Sequence, residues 1–355
     1  MKKVKVAIIG AGWWGTTAHI PALQHHPFAD LVAVQARTAE RAHQIASDFS
    51  VPHACTTVDE VLAIDGLEAV IVSSTPNAHY AQAKAALDRG LHVLIEKPMT
   101  ITVAEAEELV HLAERKGAQF IVSCPWHYTP HGAEARRLIQ SGALGRLKMI
   151  SMLMTNLTAG LYRGETFAQA FRLDVRKRDR PYREPGQASY SDPAVAGGGH
   201  IYTQVSHVGA YLGFLAGADP AEVFARFDHD GTPVDVYDAI SIKLKDGALA
   251  SIATHGAPMP SEVQFEVRAY GTRGMLLMEL TKGKLEYHDH DGRVTRYPDL
   301  ERPDVYPRHA PAENLIDSIL GLAPNQSPAA LGLYAMRVIE AASQSARSGT
   351  NIVLA

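Results

Sequence analysis

Only two cysteines, Cys55 and Cys124, occur in the 355 residues. They lie too far apart for a metal-spaced pair, so structural thiols in a reducing, cytoplasmic setting are expected. No stretch reaches the ~18 consecutive apolar residues of a membrane span, and no membrane association is expected. The chain also lacks a basic excess: 34 Lys and Arg stand against 38 Asp and Glu, a formal charge of −4, so nothing points to a nucleic-acid partner. The opening MKKVKVAIIGAG sets lysines before an apolar run, but that run is too short for a signal-peptide core and should stay in the mature protein. Internal repeats and low-complexity tracts are missing. His288-Asp289-His290-Asp291 is the one metal-like run, yet alternate residues of a strand face opposite ways and a Gly turn follows, so a surface hairpin and no metal are expected.

What remains is an ordinary globular composition, 46% apolar and 20% charged, long enough for about two domains. Its clearest local signal is VAIIGAGWWGTT. Apolar Val6 to Ile9 reads as a buried strand, and Gly10, Gly12 and Gly15 then give G-x-G-x-x-G before a helical pattern near Thr17. Gly10 suits the tight turn, Gly12 the close approach of backbone to a pyrophosphate, and Gly15 the packing of helix on strand. A dinucleotide site is therefore expected, with Trp13 and Trp14 placed to cover the diphosphate and reach towards the nicotinamide.

Strand and helix patterns alternate from Val4 to about Ser123. Strands are expected at Val4 to Ile9, Leu31 to Gln35, Ala69 to Val72, His92 to Ile95 and Phe120 to Val122. Helices fit Thr17 to Gln24, Ala39 to Phe49, Val58 to Ala63, Ala78 to Arg89 and Val103 to Lys116. That rhythm predicts an α/β doubly wound parallel sheet over residues 1–123. Residues 124–355 read instead as an α+β domain with a large open, mainly antiparallel sheet, eight strands running from Lys148 to Tyr297 with hairpin turns such as KDGA and HDGR. Helices are expected at Ile201 to Leu215, Pro311 to Leu320 and Ala329 to Ser348. Between the first strand and the first of these helices, residues 159–199 carry Arg163, Arg172, Arg176, Lys177, Arg178, Arg180 and Arg183 with little periodicity. This segment is either a solvated arm or a lid that binds an anion.

Ligands of open α/β sheets lie beyond the carboxyl ends of the strands. The second strand ends without an acid to hold a ribose diol; Arg37 and Thr38 stand there, a combination that accepts the 2′-phosphate of NADP, although Arg37 stacked on adenine would leave NAD in use. In SSTPNAHY, Ser74, Thr75, Pro76, Asn77 and His79 should border the nicotinamide, as should Glu96 and Lys97 in LIEKPM. Lys97 can hydrogen-bond a substrate hydroxyl and take its proton as hydride leaves the same carbon. Farther on, Gly197 to Gly199 open a helix in which Thr203 and His207 share a face, and His207 can act as acid or base near neutral pH.

Gly10, Gly12 and Gly15 with Glu96-Lys97-Pro98, then Gly197-Gly198-Gly199 and His207, resemble the Gfo/Idh/MocA oxidoreductases, over nearly the whole chain. The resemblance implies a nicotinamide cofactor, a sugar or cyclitol on the inner side of the open sheet, and homo-dimers or homo-tetramers through its outer face. It makes Lys97 the catalytic lysine and His207 the catalytic histidine. Two positions depart from the family pattern: Thr203 stands where an aspartate is usual, and CPWHYTP, residues 124–130, replaces a usual Asn and Arg. Trp126, His127, Tyr128, Tyr202 and Gln204, with Thr203, are the candidates to meet substrate in their place, unless they are core; an aromatic platform suits a pyranose face or a glycoside with an apolar aglycone.

The expected activity is NAD(P)-dependent hydride transfer at a secondary alcohol of a sugar, cyclitol or glycoside, with NADP favoured. Two alternatives stay open. One is a glycoside hydrolase that uses tightly held NAD to oxidise a ring carbon transiently; the other is a non-catalytic, nucleotide-sensing regulator.

Overall fold

The computed structural model describes residues 2–171 and 184–354. Arg172, Arg176, Lys177, Arg178, Arg180 and Arg183 therefore lie outside the described residues.

Short strands alternate with helices through the first third of the chain. The strands are β1 (Val4–Ile9), β2 (Ala29–Gln35), β3 (His53–Cys55), β4 (Ala69–Val72), β5 (His92–Ile95) and β6 (Phe120–Val122). Between them run α1 (Ile20–His25), α2 (Ala39–Asp48), α3 (Val58–Leu62), α4 (Pro76–Asp88) and α5 (Val103–Lys116). All strands pair in parallel, in the order 3-2-1-4-5-6. Helices cover both faces, which is why these strands are continuous Val, Ile and Ala rather than alternating. The helices start where threonine supplies an acceptor: Thr57 with Glu60 and Thr102 with Glu105 form reciprocal capping boxes. Two local features differ from expectation. Three-residue β3 is too short to show a hydrophobic period. The helix expected from Thr17 instead begins as a π turn, Gly15–His19, whose wider winding precedes α1.

The rest of the chain builds a nine-stranded sheet. Helix α6 (Pro130–Gln140) leads into β7 (Leu147–Thr155). Single-turn helices α7 (Ala159–Tyr162), α8 (Phe167–Ala170), α9 (Ala188–Ser191), α10 (Pro193–Ala196) and α11 (His200–Thr203) precede α12 (Val205–Ala216). Then come β8 (Pro220–Asp228), β9 (Tyr237–Leu244), β10 (Leu249–His255), β11 (Gln264–Gly271), β12 (Gly274–Glu279), β13 (Lys284–Asp289) and β14 (Val294–Arg296). Helices α13 (Ala310–Ile319) and α14 (Ala329–Ser348) and the edge strand β15 (Ile352–Val353) complete it. The sheet order is 14-13-12-11-7-10-9-8-15, antiparallel except where β7 and β10 run parallel at its centre. Helices α7 to α12 and strands β8 and β9 lie between those two strands in sequence, ample length for the crossover that parallel pairing requires.

One face of this sheet is covered by α12 and α14, which also pack on each other. The opposite face carries small or polar side chains such as Ser241, Lys243 and Ala253 together with exposed Met149 and Leu249. The last helices do not stay with the second sheet: α14 also packs on α5 and β6, while α13 packs on β5, β6 and α1. Ala312, Leu315 and Ile316 of α13 are fully buried in the core that also holds Val6, Ile8 and Ile71. Burying two such large aliphatic side chains is worth about 1.5–3 kcal/mol each. Among the described residues no helix is long and apolar enough to cross a membrane.

Candidate active site

A cleft of about 770 Å³ runs along the carboxyl ends of β1, β4 and β5 and on to the inner side of the second sheet. It opens where the strand order reverses between β1 and β4, the switch point at which doubly wound sheets take ligands. Gly10, Gly12, Trp13 and Trp14 line one end with Gln35, Arg37 and Arg41. Gly10 sits at φ +79°, and a Cβ there would come 2.5 Å from the Ser74 backbone nitrogen, so the exits of β1 and β4 touch through glycine alone. A Cβ on Gly12 would meet only the Gly10 carbonyl oxygen, at 3.8 Å, and otherwise open cleft. Gly15 lies behind the turn, its Cα facing Ile8 and Ser73.

Gln35 fixes this turn. Its Oε1 accepts from the Gly10 N–H at 3.0 Å and its Nε2 donates to the Thr56 carbonyl at 2.9 Å. Sequence reasoning missed Gln35, although a lone amide closing an apolar strand was the available signal. Arg37 is exposed on the cleft, whereas Thr38 is spent as the N-cap of α2, accepting from the Arg41 N–H at 3.3 Å. Ser74, Thr75, Pro76, Asn77 and His79 all line the cleft. His79 is buried and spans two turns, its Nδ1 2.9 Å from the Pro98 carbonyl and its Nε2 3.2 Å from that of Ser74. Burial lowers its pKa despite those carbonyls.

The floor holds Glu96 and Lys97. His19, brought inward by the π turn, donates from Nε2 to Glu96 Oε1 at 2.8 Å, and both side chains are buried. Burial pushes the Glu96 carboxyl up, but the His19 hydrogen bond leads the contacts that outweigh it and hold the group below the usual carboxylate range. Lys97 donates from Nζ to the Thr203 carbonyl at 2.9 Å. Its pKa is lowered by burial, against an upward pull from Glu96.

The helix expected over 201–215 is broken at Gln204, whose φ and ψ are −120° and −40°. The break separates α11 from α12 and leaves the Thr203 carbonyl for Lys97. Thr203 lines the cleft, but its hydroxyl donates to the Gly199 carbonyl at 2.9 Å and also bonds the buried Tyr162 hydroxyl. Tyr162 in turn lies 3.1 Å from His200 Nδ1. Asp235 anchors the start of α11, its carboxylate accepting from the N–H groups of Gly199 at 2.9 Å and Ile201 at 2.6 Å. A Cβ on Gly199 would lie 2.1 Å from the Asp235 carbonyl oxygen, so that glycine is a packing requirement. His207 reaches the cleft from α12 with its Nδ1 buried and unpartnered, edge-on to Trp126 at 5.2 Å. Burial first, then the charge of Lys97, carries its pKa well below the ordinary value.

The six residues proposed to meet substrate divide into two groups. Trp126, Thr203 and Gln204 line the cleft. His127, Tyr128 and Tyr202 stand behind its wall. His127 stacks on Phe214 at 4.7 Å and bonds Ser327 Oγ at 2.8 Å, Tyr128 donates to Asn314 Oδ1 at 3.3 Å, and Tyr202 donates to the Ile101 carbonyl at 3.0 Å. The 3-10 turn Pro125–Tyr128 rotates successive side chains by about a third of a turn, which is why Trp126 faces in and its neighbours do not. Tyr306 and Tyr190 join the lining without any local sequence signal. Arg163 pairs at the surface with Asp230 at 2.9 Å.

Residues 4–124 match the family model described as an oxidoreductase family with an NAD-binding Rossmann fold, and residues 133–277 match the Gfo/Idh/MocA C-terminal domain. An uncharacterized oxidoreductase of Synechocystis is 29% identical over 306 residues, covering 82% of this chain and 76% of that protein. A D-xylose 1-dehydrogenase (NADP+) of Haloarcula marismortui is 31% identical over 158 residues, 43% of each chain, so less than half of that enzyme is matched. Among solved structures, a levoglucosan dehydrogenase in complex with NADH and levoglucosan shares the fold with a TM-score of 0.81, at 18% identity over 99% of both chains. With its two domain models matched in order around this cleft, the chain belongs to the Gfo/Idh/MocA family of NAD(P)-dependent oxidoreductases.

Proposed function

We propose that the protein transfers hydride at a secondary alcohol of a sugar, cyclitol or glycoside, with Lys97 as the proton acceptor. The observation that carries this reading is the half-buried Lys97 ammonium on the cleft floor, tethered to the Thr203 carbonyl beside His207. Burial favours the neutral amine, so Lys97 can take the proton of a substrate hydroxyl and return it in the reverse direction. His207 stays neutral through the physiological range, so from the cleft wall it orients that hydroxyl rather than carrying its proton. Trp126, Thr203 and Gln204 complete the substrate wall. His127, Tyr128 and Tyr202 support it from behind.

The residues fit a dinucleotide: open space at the Gly12 Cα, the tight turn at Gly10, and Arg37 facing the far end. A bound nicotinamide supplies the hydride acceptor. Trp13, Trp14, Gly15, Ser74, Thr75, Pro76, Asn77 and Glu96 surround its course. With no acid at the end of β2 and Arg37 in its place, NADP is favoured over NAD. Residues 1–123 form the cofactor-binding unit and 124–355 the substrate-binding and oligomerisation unit, a homo-dimer or homo-tetramer through the open sheet face. Two buried free thiols, Cys55 and Cys124, suit a cytoplasmic setting.

Titration of the purified protein should show NADPH bound at least tenfold more tightly than NADH, and Arg37→Ala should abolish that preference. Lys97→Ala should lower turnover of an accepted sugar or glycoside about 1,000-fold while cofactor binding persists. Full activity in Lys97→Ala would refute the assignment.

A further inference from the structure

We infer that the substrate is a glycoside with a planar, uncharged, apolar aglycone, and that this aglycone packs against the Trp126–Tyr306 end of an aromatic wall that begins at His207. The inference rests on the reading of Lys97 and His207 as the reacting centre and narrows what they act on. From the His207 ring the strip passes to Trp126 at 5.2 Å, Tyr306 at 4.7 Å, Trp14 at 6.3 Å, Trp13 at 5.6 Å and Phe167 at 4.7 Å, all between ring centroids. Trp126, Tyr306, Trp14 and Trp13 line the cleft, and Phe167 packs on Trp13 without lining it. These rings come from five separate stretches of chain, so only the fold assembles them. Each spacing lies in the range of favourable ring contacts, and the planes of successive rings cross at 57–83°, so an aglycone ring packs against one wall ring at a time.

Polar groups along the strip point the same way. Trp126 is nine-tenths buried, and both its Nε1 and that of Trp14 lack a protein acceptor. Both N–H groups are shut off from solvent, so they offer the cleft no donor and the rings present apolar surface there. Charge is sparse among the described lining residues. The carboxylates among the described lining residues are Glu96, engaged by His19, and Glu184; the basic side chains other than histidine are Lys97 at the reacting centre and Arg37 and Arg41 at the opposite end. A free polyol is usually gripped by bidentate carboxylates, and a phosphorylated or nucleotide-linked sugar by cations. The described strip offers neither, and the Thr203 hydroxyl is already committed to Gly199 and Tyr162.

The test compares phenyl and methyl glucosides of both anomers, with glucose, at saturating NADP+ or NAD+, following the appearance of reduced-cofactor absorbance with the full chain. The phenyl glucoside should exceed the methyl glucoside at least tenfold in kcat/KM, through KM. Tyr306→Ala should bring that ratio towards one; Tyr306→Leu, which keeps apolar volume but loses the flat face, should do so too and guards against misfolding of the first variant. Oxidation of all three sugars with a phenyl-to-methyl ratio below two would overturn the aglycone inference and leave the oxidoreductase reading standing. A high ratio unmoved by both Tyr306 variants would overturn the strip as its cause. Phenol released without net cofactor turnover would support the aglycone and overturn simple dehydrogenation.

Discussion

Mild acid should unfold this protein through its buried histidines. Burial, followed by Arg136, pushes His127 down to about 3, and burial, followed by His255 and Lys97, does the same to His200. His207 is carried well below its ordinary value by burial and then Lys97. All three are therefore neutral in the fold, while in the unfolded chain each titrates near 6.5. The stability they support is complete above about pH 6.5 and is lost as pH falls, because only the unfolded state then binds the protons. Each such proton is worth about 1.4 kcal/mol per pH unit, so three give about 4 kcal/mol per unit well below pH 6.5. Asp238 opposes them: burial and then Asp235 raise its carboxyl well above the usual range, so the folded state keeps a proton there that the unfolded chain releases. Buried His79, whose pKa burial also lowers, adds to the fall, so the net loss between pH 6 and pH 5 is at least about 3 kcal/mol, a large share of the roughly 5–15 kcal/mol typical of folded domains. Urea titrations followed by tryptophan fluorescence at pH 7.5, 6 and 5 would measure it. His127→Phe isolates one proton, since a phenyl ring can keep the stack on Phe214 and Ser327 still donates to the Val122 carbonyl at 2.7 Å. That variant should lose about 1.4 kcal/mol per pH unit of the slope, whatever its stability at pH 7.5. Equal slopes for the two proteins, or no fall between pH 6 and 5, would refute the reasoning.

Asp235→Ala leaves the Gly199 and Ile201 N–H groups buried without their charged acceptor; at about 1.5–3 kcal/mol per bond the expected loss is about 3–6 kcal/mol, and a urea midpoint close to wild type would exclude it. Glu96→Gln keeps an oxygen for His19 but removes the anion that holds the Lys97 pKa up, so the rising limb of kcat/KM should move to lower pH by about one unit. A limb that stays put or moves upward counts against Lys97 as the base. Gly10→Ala sets a Cβ against the Ser74 backbone and should weaken cofactor affinity on the order of 100-fold, about 3 kcal/mol, by fluorescence titration; an unchanged Kd would refute it.

Much of this was legible because the patterns involved are local. Val4–Ile9 with its glycines, the amphipathic helices α2 to α5 and the hairpin strands from β8 to β14 each carry their period or punctuation within a dozen or so residues. What stayed hidden depends on distant partners. His53–Cys55 becomes a strand only because β2 offers it an edge. The break at Gln204 is stabilised by Lys97, 107 positions away in the chain numbering, taking the Thr203 carbonyl that a continuous helix would have used internally. Asp235 and Tyr162 act on α11 from separate segments, and whether Trp126 or Tyr128 faces the cleft depends on the winding of a four-residue turn. Composition could find an aromatic cluster near residue 126 but not which rings turn inward.

The path of α13 has a consequence for how the molecule is made. This helix, synthesised after strands β7 to β14, supplies Ala312, Leu315 and Ile316 to the core beneath β1 and β4, and its Asp317 meets His26 at 3.2 Å. On the ribosome, the first sheet can therefore assemble early but cannot seal one of its flanks until α13 has emerged behind the second sheet. A nascent chain stalled after residue 123 should expose that flank to chaperones, and the second sheet must form while its neighbour is still unfinished.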